Sequence, residues 1–75
     1  MKPYRNLSGK SGVAAYESGD GFIRVRFVHN GTYEYTHERP GHRHVTNMQQ
    51  LAEAGRGLAT YISRFVRERY ARKLD

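Results

Sequence analysis

The sequence predicts an α+β fold: a small three-stranded antiparallel β-meander followed by two helices packed on one face. Three observations carry that expectation. Phe22 to His37 alternate apolar and polar residues around Asn30-Gly31, the pattern of a β-hairpin. Val13 to Glu17, closed by Ser18-Gly19-Asp20-Gly21, supplies a strand that pairs with it through a tight turn. Beyond Pro40-Gly41 the apolar period lengthens from about 2 to about 3.6 residues, which is helical.

The 75 residues make one domain. A chain of this size buries only about 60% of the surface that its unfolded form exposes, so its core must be economical. Residues 1 to 10 contain Pro3, Asn6, Ser8 and Gly9 and read as an irregular lead-in. Gly9-Lys10-Ser11 has the ending of a phosphate-binding loop, but Tyr4 stands where that motif needs its first glycine. In the first strand, alternation sets Val13 and Ala15 on one face and Ala14 and Tyr16 on the other.

The hairpin register follows from sorting its side chains. A three-residue loop, His29-Asn30-Gly31, pairs Phe27 with Tyr33, Val25 with Tyr35 and Arg26 with Glu34. One face is then apolar and aromatic, and the other polar with a cross-strand ion pair. A slip of one residue would reverse the sorting. Tyr33 and Tyr35 are thereby expected in the core, with their hydroxyls at its rim.

A first helix is expected from Thr46, where Thr46 and Gln49 match a capping box, to a stop at Gly55. Its stripe is Met48, Leu51 and Ala52. A second helix is expected over about 57 to 73, with Leu58, Tyr61, Ile62, Phe65 and Val66 on one face. Arg69 projects through that stripe, so the stripe leaves the core after Val66 and the last turns form a basic surface.

Function is read mainly from charge. Thirteen Lys and Arg against seven Asp and Glu give a formal charge of +6, spread over the whole chain. Ten of the thirteen are arginine, the side chain suited to planar contact with phosphate. With no cysteine there is neither disulfide nor thiolate metal site, and no apolar run approaches the ~20 residues of a membrane span. A cytoplasmic protein that does not enter membranes is expected. His37, His42 and His44 lie close in sequence, but no Cys, Asp or Glu completes a ligand set, so they read as polar surface and no metal or cofactor is expected. No nucleophile, base and orienting group fall at a catalytic spacing, so an enzyme is not expected.

The order of elements resembles the KTSC domain, a short module named for the C-terminal extension of some lysyl-tRNA synthetases and also found as a stand-alone bacterial or phage protein. The matching residues are Val25, Phe27, Asn30, Gly31, Tyr33, Tyr35, Leu51, Ala52, Ala54, Gly55, Gly57, Ile62 and Tyr70, within about residues 8 to 70. The opening Ser11-Gly12-Val13 departs from the Ser-Ser-x-apolar start of that family. The resemblance implies RNA binding through its attachment to a tRNA synthetase, and it carries over no catalytic residue.

Two functional readings follow. The first is a basic module binding RNA or single-stranded nucleic acid through Arg64, Arg67, Arg69, Arg72 and Lys73, with Arg24 and Arg26 on the sheet face away from Tyr33 and Tyr35. The second is a protein-interaction module, either a homodimer or an adaptor, because arginine and half-buried aromatics are also what interfaces enrich.

Overall fold

A computed structural model describes all 75 residues. The elements in order are strand β1 (Lys2–Pro3), β2 (Val13–Gly19), β3 (Phe22–Phe27), β4 (Gly31–Thr36), helix α1 (His42–Ala54), helix α2 (Leu58–Tyr61) running into a π-helical turn (Ile62–Val66), and β5 (Arg72–Lys73). The fold is α+β, and its sheet has five strands in the order β1-β2-β3-β4-β5, every pair antiparallel. Strands β2 to β4 form the meander; a two-residue strand from each end of the chain extends it. No helix is long and apolar enough to cross a membrane.

Gly19 pairs with Phe22, leaving Asp20-Gly21 as a two-residue turn with Gly21 at φ 85°. Further along the same ladder Val13 opposes Phe27 while Ala15 opposes Arg26, so β2 carries one extra residue. This bulge changes the face assignment given by simple alternation: Val13 and Tyr16 now share the core face, opposite Phe27 and Val25. Both are buried, at 2% and 5% exposure.

The hairpin keeps the expected sorting in a different register. Phe27 pairs with Gly31, Val25 with Tyr33, Arg24 with Glu34 and Ile23 with Tyr35, so the loop is Val28-His29-Asn30. The pairing is displaced by two residues from that expected, and an even displacement leaves each side chain on its face. The ion pair moves with it, from Arg26 to Arg24. Arg24 is the better cation because its other neighbour across the sheet is Glu17, placing it between two carboxylates.

Helix α1 begins at His42, four residues before Thr46, and its N-cap is Gly41, with no side chain capping it. The capping box does not form. Gln49 instead donates its Nε2 hydrogens to the carbonyls of Gly19 and Phe22, each at 2.9 Å, tying the helix to the mouth of the β2–β3 hairpin. Val45, Met48 and Ala52 are its buried residues, and Gly55 ends it in the left-handed conformation at φ 78°.

The lead-in is not irregular throughout. Besides forming β1, it sends Tyr4 into the core, where the phenol oxygen accepts from the Leu58 N–H at 3.3 Å. That bond satisfies one of the amides left free at the start of α2. The Leu7 N–H donates to the Gly55 carbonyl at 2.7 Å, and the Arg5 guanidinium donates to the Glu53 carbonyl, so residues 5 to 7 clasp the end of α1.

The second helical segment stops at Val66 rather than near 73. Ile62 and Val66 face the core, whereas Phe65, expected on the same stripe, is 53% exposed. The chain then reverses and lays β5 along β4, with the Ala71 N–H donating to the Glu34 carbonyl and the Leu74 N–H to the Thr32 carbonyl. Arg72 and Lys73 thus lie on a sheet edge, not on a helix. Sheet ladder bonds and the Glu34 carboxylate hold them there, and neither is a local helix signal.

Candidate nucleic-acid interface

The seven cationic residues singled out from the sequence fall into separate groups. On the outer face of the sheet Glu34 is the centre: its side chain is 9% exposed, its Oε2 accepts from Arg24 Nε at 2.7 Å and its Oε1 from Arg72 Nε at 2.8 Å. The Arg72 and Arg24 hydrogen bonds hold the Glu34 carboxyl below the usual glutamate range, and the Glu34 bond raises Arg24 in turn. A second Arg24 nitrogen lies 3.5 Å from Glu17. Two arginines and two glutamates therefore compensate one another. Arg26 is exposed on the same face, opposite Thr32, and makes no ion pair.

Lys73 belongs to the other face. It pairs with Tyr33 across the β4–β5 ladder, and its ammonium lies 5.7 Å from the Tyr33 ring centroid. Tyr35 is in the core at 1% exposure, and burial pushes its phenol well up. Tyr33 is only half-buried, with Phe27 edge-on at 5.8 Å and Tyr70 tilted against it at 4.7 Å.

Arg64, Arg67 and Arg69 are brought together, and they are joined by Arg39, which sequence reasoning missed. With Phe65, Val66 and Glu68 they line an open concavity of about 750 Å³. None of the four arginines is ion-paired, since the chain's salt bridges involve only Lys2, Arg24 and Arg72 as cations. Arg39 arrives from the turn after β4 and is fixed by donating from Nε to the Tyr70 carbonyl at 3.1 Å.

The π-helical turn shapes this hollow. The Arg67 N–H donates to the Ile62 carbonyl at 2.6 Å, five residues back, and Arg67 Nε donates to the Ser63 carbonyl at 3.2 Å. Arg67 itself sits at φ 44°, ψ −113°, a backbone region that L-residues rarely occupy. Phe65 is thereby left in solvent, its ring tilted against Tyr61 at 4.8 Å. Tyr61 is fixed at its other end, where its oxygen meets His44 Nδ1 at 2.7 Å and accepts from Asn47 Nδ2 at 3.1 Å.

His44 is thus turned away from His37 and His42, whose rings meet through Nε2 and Nδ1 at 3.1 Å. No three His, Asp or Glu side chains are grouped closely enough to hold a metal ion.

Of Arg39 and Phe65, neither of which the sequence singles out for binding, only Phe65 left a usable trace, as a large apolar residue amid Arg64, Arg67 and Arg69. Compared with protein-family models, curated proteins and solved structures, the chain matches none.

Proposed function

We propose that this protein is a non-catalytic module that binds single-stranded nucleic acid, RNA before DNA, with Arg39, Arg64, Arg67 and Arg69 on the phosphates. The observation that carries the reading is the convergence of four arginines, none of them ion-paired, on one open hollow that holds a single carboxylate, Glu68. Unpaired guanidiniums on a surface attract a polyanion, and their planar forks suit phosphate oxygens. Phe65 sets an exposed aromatic face among them, which favours an unstacked base over a duplex, whose bases are already stacked. Lys73 and Arg26 lie outside this hollow and add to the long-range field. Arg24 and Arg72 serve the sheet. The resemblance to a module attached to a tRNA synthetase agrees with RNA as the ligand.

The experiment is a fluorescence-anisotropy titration with single-stranded RNA, single-stranded DNA and duplex DNA at two salt concentrations. Binding of the single strands that weakens with salt and drops in the Arg64→Ala, Arg69→Ala double variant is expected. Absence of binding at low salt would overturn the reading and leave the protein-interaction alternative, which light scattering then tests as salt-independent self-association.

A further inference from the structure

The hollow of arginines continues into a second, smaller one. Phe27, Tyr33, Tyr35 and Tyr70 line a recess of about 190 Å³ between the hairpin and the end of the π-helical turn, and Arg67 and Glu68 form part of both hollows. It is below the ~300 Å³ at which sites for cofactor-sized molecules begin. Three of its four aromatic residues are only partly buried, so their rings are open to a ligand. We infer that this recess receives one unpaired nucleobase from the strand whose phosphates lie on the arginines, an inference that rests on the nucleic-acid reading above.

The geometry favours a flat, neutral ring. Tyr33 and Tyr70 lie against each other at 4.7 Å with their planes tilted by 53°, and both are partly exposed and line the recess. A base entering there adds a stacking partner, an interaction every base can make because each has a π-face. Arg67 stands where the two hollows meet, so one guanidinium can hold the phosphate adjoining the inserted base.

An aromatic recess also suits an alkylated ammonium group, such as a modified lysine of a partner protein. Charge argues against that occupant. The Lys73 ammonium already lies 5.7 Å from the Tyr33 ring centroid, and Arg67 stands on the rim, so an incoming cation would meet two like charges against the single carboxylate of Glu68.

The test compares two labelled oligonucleotides of equal length, a single-stranded RNA and an abasic sugar–phosphate chain, each titrated with the wild-type protein and with Tyr70→Leu. The wild type should bind the base-bearing strand about tenfold more tightly than the abasic one, and Tyr70→Leu should lose most of that factor while holding abasic affinity within about twofold. Equal wild-type affinities, or an unchanged ratio in Tyr70→Leu, would overturn the base recess and leave the arginine surface standing. Failure to bind either oligonucleotide would overturn both. A second measurement needs no variant: irradiation of the wild type with RNA carrying 5-iodouridine should crosslink Tyr33 or Tyr70. Crosslinks confined to Phe65, or no crosslink in a bound complex, would sink the recess.

Discussion

Glu34 stands directly across the β3–β4 ladder from Arg24, and the two share a 2.7 Å hydrogen bond on the outer face of the sheet. Arg72 closes on the other carboxylate oxygen from 38 residues further along the chain. One carboxylate thus fastens the end of the chain to the middle of the sheet.

Replacing that carboxylate by an amide should loosen both ends of the arrangement. Glu34→Gln is expected to lower the unfolding free energy by about 1–2 kcal/mol in urea denaturation, the range for losing charge-assisted hydrogen bonds of a mostly buried group. Amide exchange at Ala71 and Leu74 should quicken in the same variant, because their bonds to β4 are held in place by Arg72. Unaltered stability would mean that the outer-face cluster contributes nothing net.

The same group sets an acid dependence. Folding holds the Glu34 carboxyl below its ordinary value of 4.5, so on acidification the unfolded chain takes up the proton first. The stabilisation is whole above about pH 4.5 and is lost as the pH falls through the folded value. The difference in thermal midpoint between wild type and Glu34→Gln should therefore be full at pH 6 and shrink on acidification below about pH 4.5. A difference that persists after the carboxylates are protonated would assign it to packing instead.

Tyr4 makes a narrower prediction. Tyr4→Phe removes only the oxygen that accepts the Leu58 N–H, in a side chain 6% exposed, and should cost about 1 kcal/mol. The Leu58 amide should lose its exchange protection ahead of the rest of the core. A variant as stable as wild type, with Leu58 still protected, would show that the 3.3 Å contact carries no weight.

At Arg67, stability and binding should move in opposite directions. Its φ of 44° with ψ of −113° mirrors extended backbone, which glycine enters freely and other residues at a cost of about 1–3 kcal/mol. Arg67→Gly is therefore expected to raise stability by about 1 kcal/mol while weakening RNA binding. A loss of stability would remove the view that this residue is held against its backbone preference.

Salt should report how many arginines touch phosphate. With ~0.7 counterions released per single-strand contact, four arginines give a slope of about −3 for log affinity against log salt. Arg64→Ala with Arg69→Ala should reduce the slope to about −1.5. An unchanged slope would place the phosphates elsewhere, with Arg26 and Lys73 next to be examined.

Period-two alternation reads the faces of the hairpin well, because parity is a property of neighbouring residues. It does not read the register, since pairing Tyr33 with Phe27 or with Val25 gives the same face, and only the second puts Arg24, which already neighbours Glu17, opposite Glu34 as well. Helix α1 starts early because Gly41 caps it without a side chain, so the Thr46–Gln49 pattern offers a start that the fold does not use. The two-residue strands are too short to show any period, and the Arg72–Glu34 contact joins positions with no local relation. The basic site was legible as a run of arginines around Phe65, whereas Arg39 enters it only through the turn that follows β4.

The outermost strands, Lys2–Pro3 and Arg72–Lys73, are short, cationic and, in one case, interrupted by an imino acid. Such rims make a poor template for a strand from another copy, since two residues, or one and a proline, offer few free ladder bonds. Under the nucleic-acid proposal, copies gathered along one polyanion would therefore be ordered by the strand beneath them rather than by fusion of their sheets.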